Sequence, residues 1–228
     1  MAAAINGDLS VRVSVATHAL QWSASPSGSV WRKRMHLVGP PEAGQVTSIV
    51  RYEPNSSFHA HDHPDGEEIL VLSGVFSDEH GDWPAGTFLL NPEGFRHAPF
   101  SKEGCELLVK LRQYPGRDRQ HVVIDTNERV WEPGEHPGIA RKALYRQDGF
   151  CDRVDLEQWD TRLAEHPVAY DDGAELFVID GEFRDETGLY GAGCWLRLPV
   201  CSTHRPSVTR RCTLYVKRGG LSYLRSHP

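Results

Sequence analysis

"HPDGEEILVLSGVFSDEHGDWPAGTFLLNPEGFRHAPFSKEGCELLVK", residues 63–110, lies over "YDDGAELFVIDGEFRDETGLYGAGCWLRLPVCSTHRPSVTRRCTLYVK", residues 170–217, without a gap and at an offset of 107. Of the 48 aligned positions 19 are identical, where chance would give about two or three, so the chain carries an internal duplication. Gly74 pairs with Gly181, Gly86 with Gly193, Pro92 with Pro199, His97 with His204 and Cys105 with Cys212. Upstream, "VTSIVRY" falls on "RVDLEQW", and carrying the same offset further pairs Arg34 with Arg141 and Leu37 with Leu144. The seam lies near residues 115–130, which predicts two domains, 1–118 and 119–228.

Each copy reads as strands. Short alternating or apolar runs such as "EEILVLSGVF", "GTFLL" and "CELLVKLRQY" are separated by Gly, Pro, Asp and Asn, and helical periodicity over a dozen residues is hard to find. Many short strands at regular spacing predict an all-β protein of tandem sandwich or jelly-roll domains, an architecture that hides sheet edges by pairing two sheets.

Composition narrows the function classes. A chain of 228 residues with 39% hydrophobic content can pack two cores. A net charge of −6 and a pI near 6.0 disfavour nucleic acid as a partner and point to small molecules or proteins. Asp8 and Arg12 interrupt the N-terminal apolar run, so no secretory signal is expected, and no apolar stretch is long enough to span a membrane. The five cysteines contain no C-x-x-C pair, which disfavours a disulfide framework or zinc finger and fits a reducing cytoplasm. Cys105 and Cys212 stand at equivalent strand positions and read as buried packing thiols.

The chemistry concentrates in "FHAHDHPDGEE", residues 58–68. Alternation along a strand sends His61 and His63 to one face and Asp62 to the other, and the tight turn at Pro64–Gly66 returns Glu67 beside them. A third imidazole has only to arrive from elsewhere in the fold. His59, two residues earlier, is a candidate alternative ligand or proton acceptor.

The spacings H-x-H-x3-E-x6-G, from His61 to Gly74, and G-x5-P-x-G-x2-H, from Gly86 to His97, resemble the cupin superfamily. That resemblance implies two tandem cupin (double-stranded β-helix, jelly-roll) barrels, the first holding a metal through His61, His63, Glu67 and His97. Three imidazoles and a carboxylate suit one divalent ion, Zn2+ or Fe2+, and leave coordination positions for water or a ligand. One departure is Ser101, where the family often has asparagine. In the second copy the matching positions are Val168, Tyr170, Ala174 and His204, so the metal is expected in the first barrel alone.

The first copy is more closely similar to the ChrR-like cupin domains of anti-sigma factors, which share its "GEE…VL.G.FSDE.GD.PAGT" run. The resemblance implies a small-molecule or oxidative-stress sensor acting on a protein partner. The H-x3-C-x2-C motif of the sigma-binding domain is absent from this sequence, so direct sigma inhibition is not expected. The other reading is a metal-dependent dioxygenase acting on a diketone or hydroxyacetophenone. Uncovered jelly-roll edges, together with a second copy that has lost its ligands, predict a homodimer.

Overall fold

A computed structural model describes residues 4–227. Among these, antiparallel strands and three short 3-10 segments, Thr17–Ala19, Thr161–Glu165 and Gly220–Tyr223, account for the regular structure, and there is no α-helix. Among the described residues no helix is long and apolar enough to cross a membrane.

The strands form two units, each built on a seven-strand path. In the first the order is Val122–Asp125, Thr87–Asn91, Glu67–Asp78, Cys105–Leu111, Gln45–Tyr52, Val30–Val38 and Ser23–Ala24. In the second it is Val13–Ala16, Cys194–Leu198, Ala174–Asp180, Cys212–Arg218, Arg153–Trp159, Ile139–Arg146 and Glu132–Pro133. The duplication read from sequence is therefore a duplication of topology.

The two compact units are not contiguous in the chain. The first unit is built on Leu20–Glu128, with residues 4–7 and 225–227; the second comprises Asp8–Ala19 and Arg129–Leu224. The cause is a reciprocal exchange of leading strands. Val122–Asp125, which precedes the second copy, pairs with Thr87–Asn91 of the first, and Val13–Ala16, which precedes the first copy, pairs with Cys194–Leu198 of the second.

The upstream alignment is corrected. Val30 pairs with Tyr52 and Ile139 with Trp159, so Arg32, opposite Val50, is the counterpart of Arg141, opposite Glu157. The offset there is 109, and Arg34 corresponds to Ala143. Leu37 and Val46 are nine positions apart while Arg146 and Arg153 are seven, so the connecting turn is shorter by two in the second copy.

Both barrels bend at the same place. The strand Glu67–Asp78 carries a bulge opposite Glu106/Leu107 and Ala174–Asp180 carries one opposite Leu214/Thr213. Gly74 (φ 72°) and Gly181 (φ 78°) follow these bulges in the left-handed region, and a Cβ on Gly74 would stand 2.1 Å from the Gly104 carbonyl oxygen. That close approach explains why this glycine stands in both copies.

The interiors differ in filling. The second barrel buries a large cluster that includes Trp159, Tyr170, Leu176, Val178, Phe183 and Leu214. The first buries a smaller one, with Val30, Ile69, Phe76, Leu107 and Val109 among its members. Cys105 and Cys212 are buried as expected, and burial pushes their thiols up to about 11 and about 12.

Candidate metal centre

His61 and His97 arrive on two short paired strands, His61–Asp62 and Arg96–His97, in which the two histidines stand directly opposite each other. His63 follows at the start of the turn, where its backbone N–H donates to the Phe95 carbonyl. Asp65 (φ 56°) and Gly66 (φ 71°) make the reversal, and Glu67 opens the long strand that returns beneath the histidines. This is the geometry that alternation and the Pro-Asp-Gly turn predicted.

The ligand atoms of His61, His63 and His97 lie within 4.8 Å of one another. His63 Nε2 is 2.9 Å from His97 Nε2, and Glu67 Oε2 is 3.5 Å from both. His63, Glu67 and His97 are buried and His61 is half-buried. All four predicted ligands thus meet at one end of the first barrel. His59 does not join them. Its imidazole is exposed at the rim, and its role is a backbone one, as its carbonyl oxygen lies 2.9 Å from His61 Nδ1.

The surrounding bonds orient the donors. Asp78 Oδ2 lies 3.0 Å from His97 Nδ1 and fixes the proton there, leaving the Nε2 lone pair facing His63 and Glu67. The His59 carbonyl does the same for His61. Asn91 Nδ2 donates to Glu67 Oε2 at 2.9 Å, which anchors the carboxylate.

Burial holds His63 below the ordinary imidazole value against the attraction of Glu67, and the charges of His97, His61 and Arg112 act in the same direction as burial. His97 moves the other way. Burial would lower it, but the Asp78 hydrogen bond and the charges of Glu67 and Asp78 raise it. Converging lone pairs of buried imidazoles beside a carboxylate repel one another unless a cation lies among them, so this donor set fits a divalent metal.

His61, His63 and Glu67 line a cavity of about 460 Å³. Its walls are largely apolar, with Val30, Val50, Ile69, Phe76, Leu107 and Val109, and its rim includes Arg32, Arg34, Glu42, His59 and Arg112. Sequence reading did not single out Asp78, Asn91 or these arginines. For Asp78 a signal was present, since "FSDE" and "FRDE" keep the aspartate in both copies.

The second barrel closes the same place with its own side chains. His204 Nδ1 lies 3.0 Å from Asp185 Oδ2, as His97 does from Asp78, but its Nε2 faces the Tyr170 hydroxyl at 3.4 Å where the first barrel has His63. Val168 and Ala174 stand for His61 and Glu67. A buried phenol has replaced the converging donors.

Comparison with known proteins agrees with this geometry. The family described as ChrR Cupin-like domain matches twice, over residues 10–115 and 119–222. Among solved structures, a candidate dioxygenase from Nostoc punctiforme is 16% identical with a TM-score of 0.73, over 92% of this chain and 82% of its own. A cupin 2 conserved barrel domain protein from Leptotrichia buccalis is 13% identical with a TM-score of 0.61, over 90% and 95%. The oxalate decarboxylase of Lactobacillus farciminis, in a formate complex, is 10% identical with a TM-score of 0.63, over 95% and 89%. At these identities the likeness is one of fold. No curated protein matches the sequence.

Proposed function

Since the chain belongs to the ChrR cupin-like domain family, we propose that its first barrel is a metal-dependent site for a small chelating molecule and acts as an oxygenase on a diketone-like or hydroxyaryl-ketone substrate. His61, His63, Glu67 and His97 hold the ion. The observation that carries the reading is the cavity: about 460 Å³ of largely apolar space lined by three of the four donors, His61, His63 and Glu67, a volume suited to a small organic ligand.

A divalent ion held there supplies Lewis-acid activation of a chelating oxygen ligand and, as iron(II), redox chemistry with oxygen. The chain's own residues do the rest. Val30, Val50, Ile69 and Leu107 exclude water from the bound molecule, Asp78 keeps the His97 proton on Nδ1, and Asn91 keeps Glu67 turned inward.

A second reading is favoured by the family match itself. A sensor would use the same site to bind an oxidised small molecule and pass the signal to a protein partner. Both readings share the metal and the ligand, and they differ in turnover.

The test is anaerobic loading with iron(II), addition of acetylacetone or a hydroxyacetophenone, and admission of oxygen. Oxygen uptake that disappears in Glu67→Ala supports the oxygenase. Tight binding without uptake overturns it in favour of the sensor.

A further inference from the structure

The duplicated barrels show what the first cavity lacks. In the second, Arg141 and Arg218 meet carboxylates on Arg153–Trp159, the strand that lies between theirs. Arg218 lies 2.7 Å from Glu157 and 3.8 Å from Asp155, and Arg141 lies 4.0 Å from Asp155. In the first, the arginine is kept as Arg32, but Glu157 is replaced by Val50 and Asp155 by Ser48 at the same register. The wall that neutralises the second interior is uncharged in the first, and the space it would fill is open.

Two more guanidinium groups face that space. Arg34 Nε is buried without a hydrogen-bond partner. The only carboxylate paired with Arg32 or Arg34 among the described residues is Glu42, half-exposed, which sits 2.7 Å from Arg32 and 3.3 Å from Arg34. Arg112 also lines the cavity, and its guanidinium makes no hydrogen bond or ion pair among the described residues. Its backbone is in the left-handed region, φ 60°, at a position where the second barrel has Gly219 at φ 72°. The turn is the same in both, since Arg112 N–H donates to the Gly66 carbonyl and Gly219 N–H to the Gly173 carbonyl. A conformation suited to glycine is held by an arginine, the kind of local strain that accompanies binding sites.

We propose that the ligand of the first barrel is an organic anion, a carboxylate on an apolar body, whose charged end is received by Arg34 and Arg112 with Arg32 beside them. This rests on the metal-site reading for the adjoining, chelating part of the molecule. In the second barrel Glu157 and Asp155 supply the anion from within, which is why that interior needs no ligand.

The probes are benzoylpyruvate and benzoylacetone, β-diketones with the same phenyl group that differ in carrying a carboxylate or a methyl. Affinities are measured by calorimetry on the full chain, zinc-loaded to prevent turnover and again metal-free, and the quantity read is the ratio between the probes. The expected ratio in the zinc-loaded protein is about tenfold or more in favour of benzoylpyruvate, the worth of charge-assisted hydrogen bonds to guanidinium. It should fall toward unity in Arg112→Gly, a change the second barrel's own turn accommodates, and in Arg34→Gln. It should rise in Glu42→Gln, which frees Arg32 and Arg34. Equal affinities for the two probes, a ratio that survives both arginine substitutions, or no benzoylpyruvate binding at millimolar concentration overturns the proposal. Metal removal without effect on either affinity would instead overturn the metal reading, while the ratio still scores the arginines.

Discussion

Replacing Asp78 with asparagine tests whether the first barrel is built around a metal. Asp78 reaches the site only through His97, whose Nδ1 lies 3.0 Å from its carboxylate. Asparagine keeps the size and can still accept one hydrogen bond, but it removes the charge that raises ligand basicity and fixes the tautomer. Such a loss lowers metal affinity roughly 10–100-fold, or about 1.4–2.7 kcal/mol. For a barrel of this size that is roughly 5–15 °C off the rise in melting temperature that saturating zinc confers. The assay is zinc affinity by competition with a chromophoric chelator, together with melting curves with and without metal. Only the metal-dependent increment is read, because Asp78→Asn also alters the metal-free protein. The second barrel supplies the control. Asp185 holds His204 at the same 3.0 Å, yet no converging donors stand there, so Asp185→Asn should leave the zinc increment intact. Affinity in Asp78→Asn within about threefold of wild type, or an equal loss in Asp185→Asn, would refute the reasoning.

Gly74→Ala should destabilise the first barrel by more than about 3 kcal/mol, because the left-handed conformation and the contact with Gly104 add. Gly94→Ala, at φ 86° with nothing within 4 Å, should cost only about 1–2 kcal/mol; equal losses in urea titrations would remove the close-approach argument. Burial and then the neighbouring Glu157 raise Asp155 to about 6. The folded protein therefore holds this proton more tightly than the unfolded chain, and the second barrel should lose about 3 kcal/mol as pH rises from about 4 through 6. Asp155→Asn should flatten that slope, and an unchanged slope would show that the proton goes elsewhere.

The sequence carried the duplication, the jelly-roll pattern and the four donors because each is local or repeats in register. His61, His63 and Glu67 sit on one hairpin, and His97 stands on the strand paired with it. Asp78 was legible too, as an aspartate kept in both copies, but identity between copies does not say which imidazole it reaches. The strand exchange was not legible. "VSVA" and "VVID" are short runs that fit any sheet edge, and their partners lie about 180 and about 35 residues away, where local pattern has no reach. The two-residue shift upstream hid in a turn, where length varies at little cost. Arg112 could be aligned with Gly219 at the offset of 107, but only the backbone shows that both adopt the left-handed turn.

The exchange has a consequence for dissecting the chain. Thr87–Asn91 is buried along its whole length, and its last residue, Asn91, holds Glu67. On one side it pairs with Glu67–Asp78 and on the other with Val122–Asp125, Leu90 opposite Val122 and Phe88 opposite Ile124. A fragment ending at 118, where the repeat suggests a boundary, strips the outer partner and leaves an apolar edge with unpaired backbone groups, a template for aggregation. A fragment of residues 20–128 keeps that partner and omits Val13–Ala16, which the first barrel does not use, while losing the Ile5–Leu37 bridge and the Arg225 N–H bond to Gln45 at the periphery of the first unit. The shorter cut should be insoluble or fail to retain zinc, and 20–128 should stay soluble with about one ion per chain. A 1–118 fragment that remains monodisperse and binds zinc as tightly as 20–128 would show that Val122–Asp125 decorates the sheet without completing it.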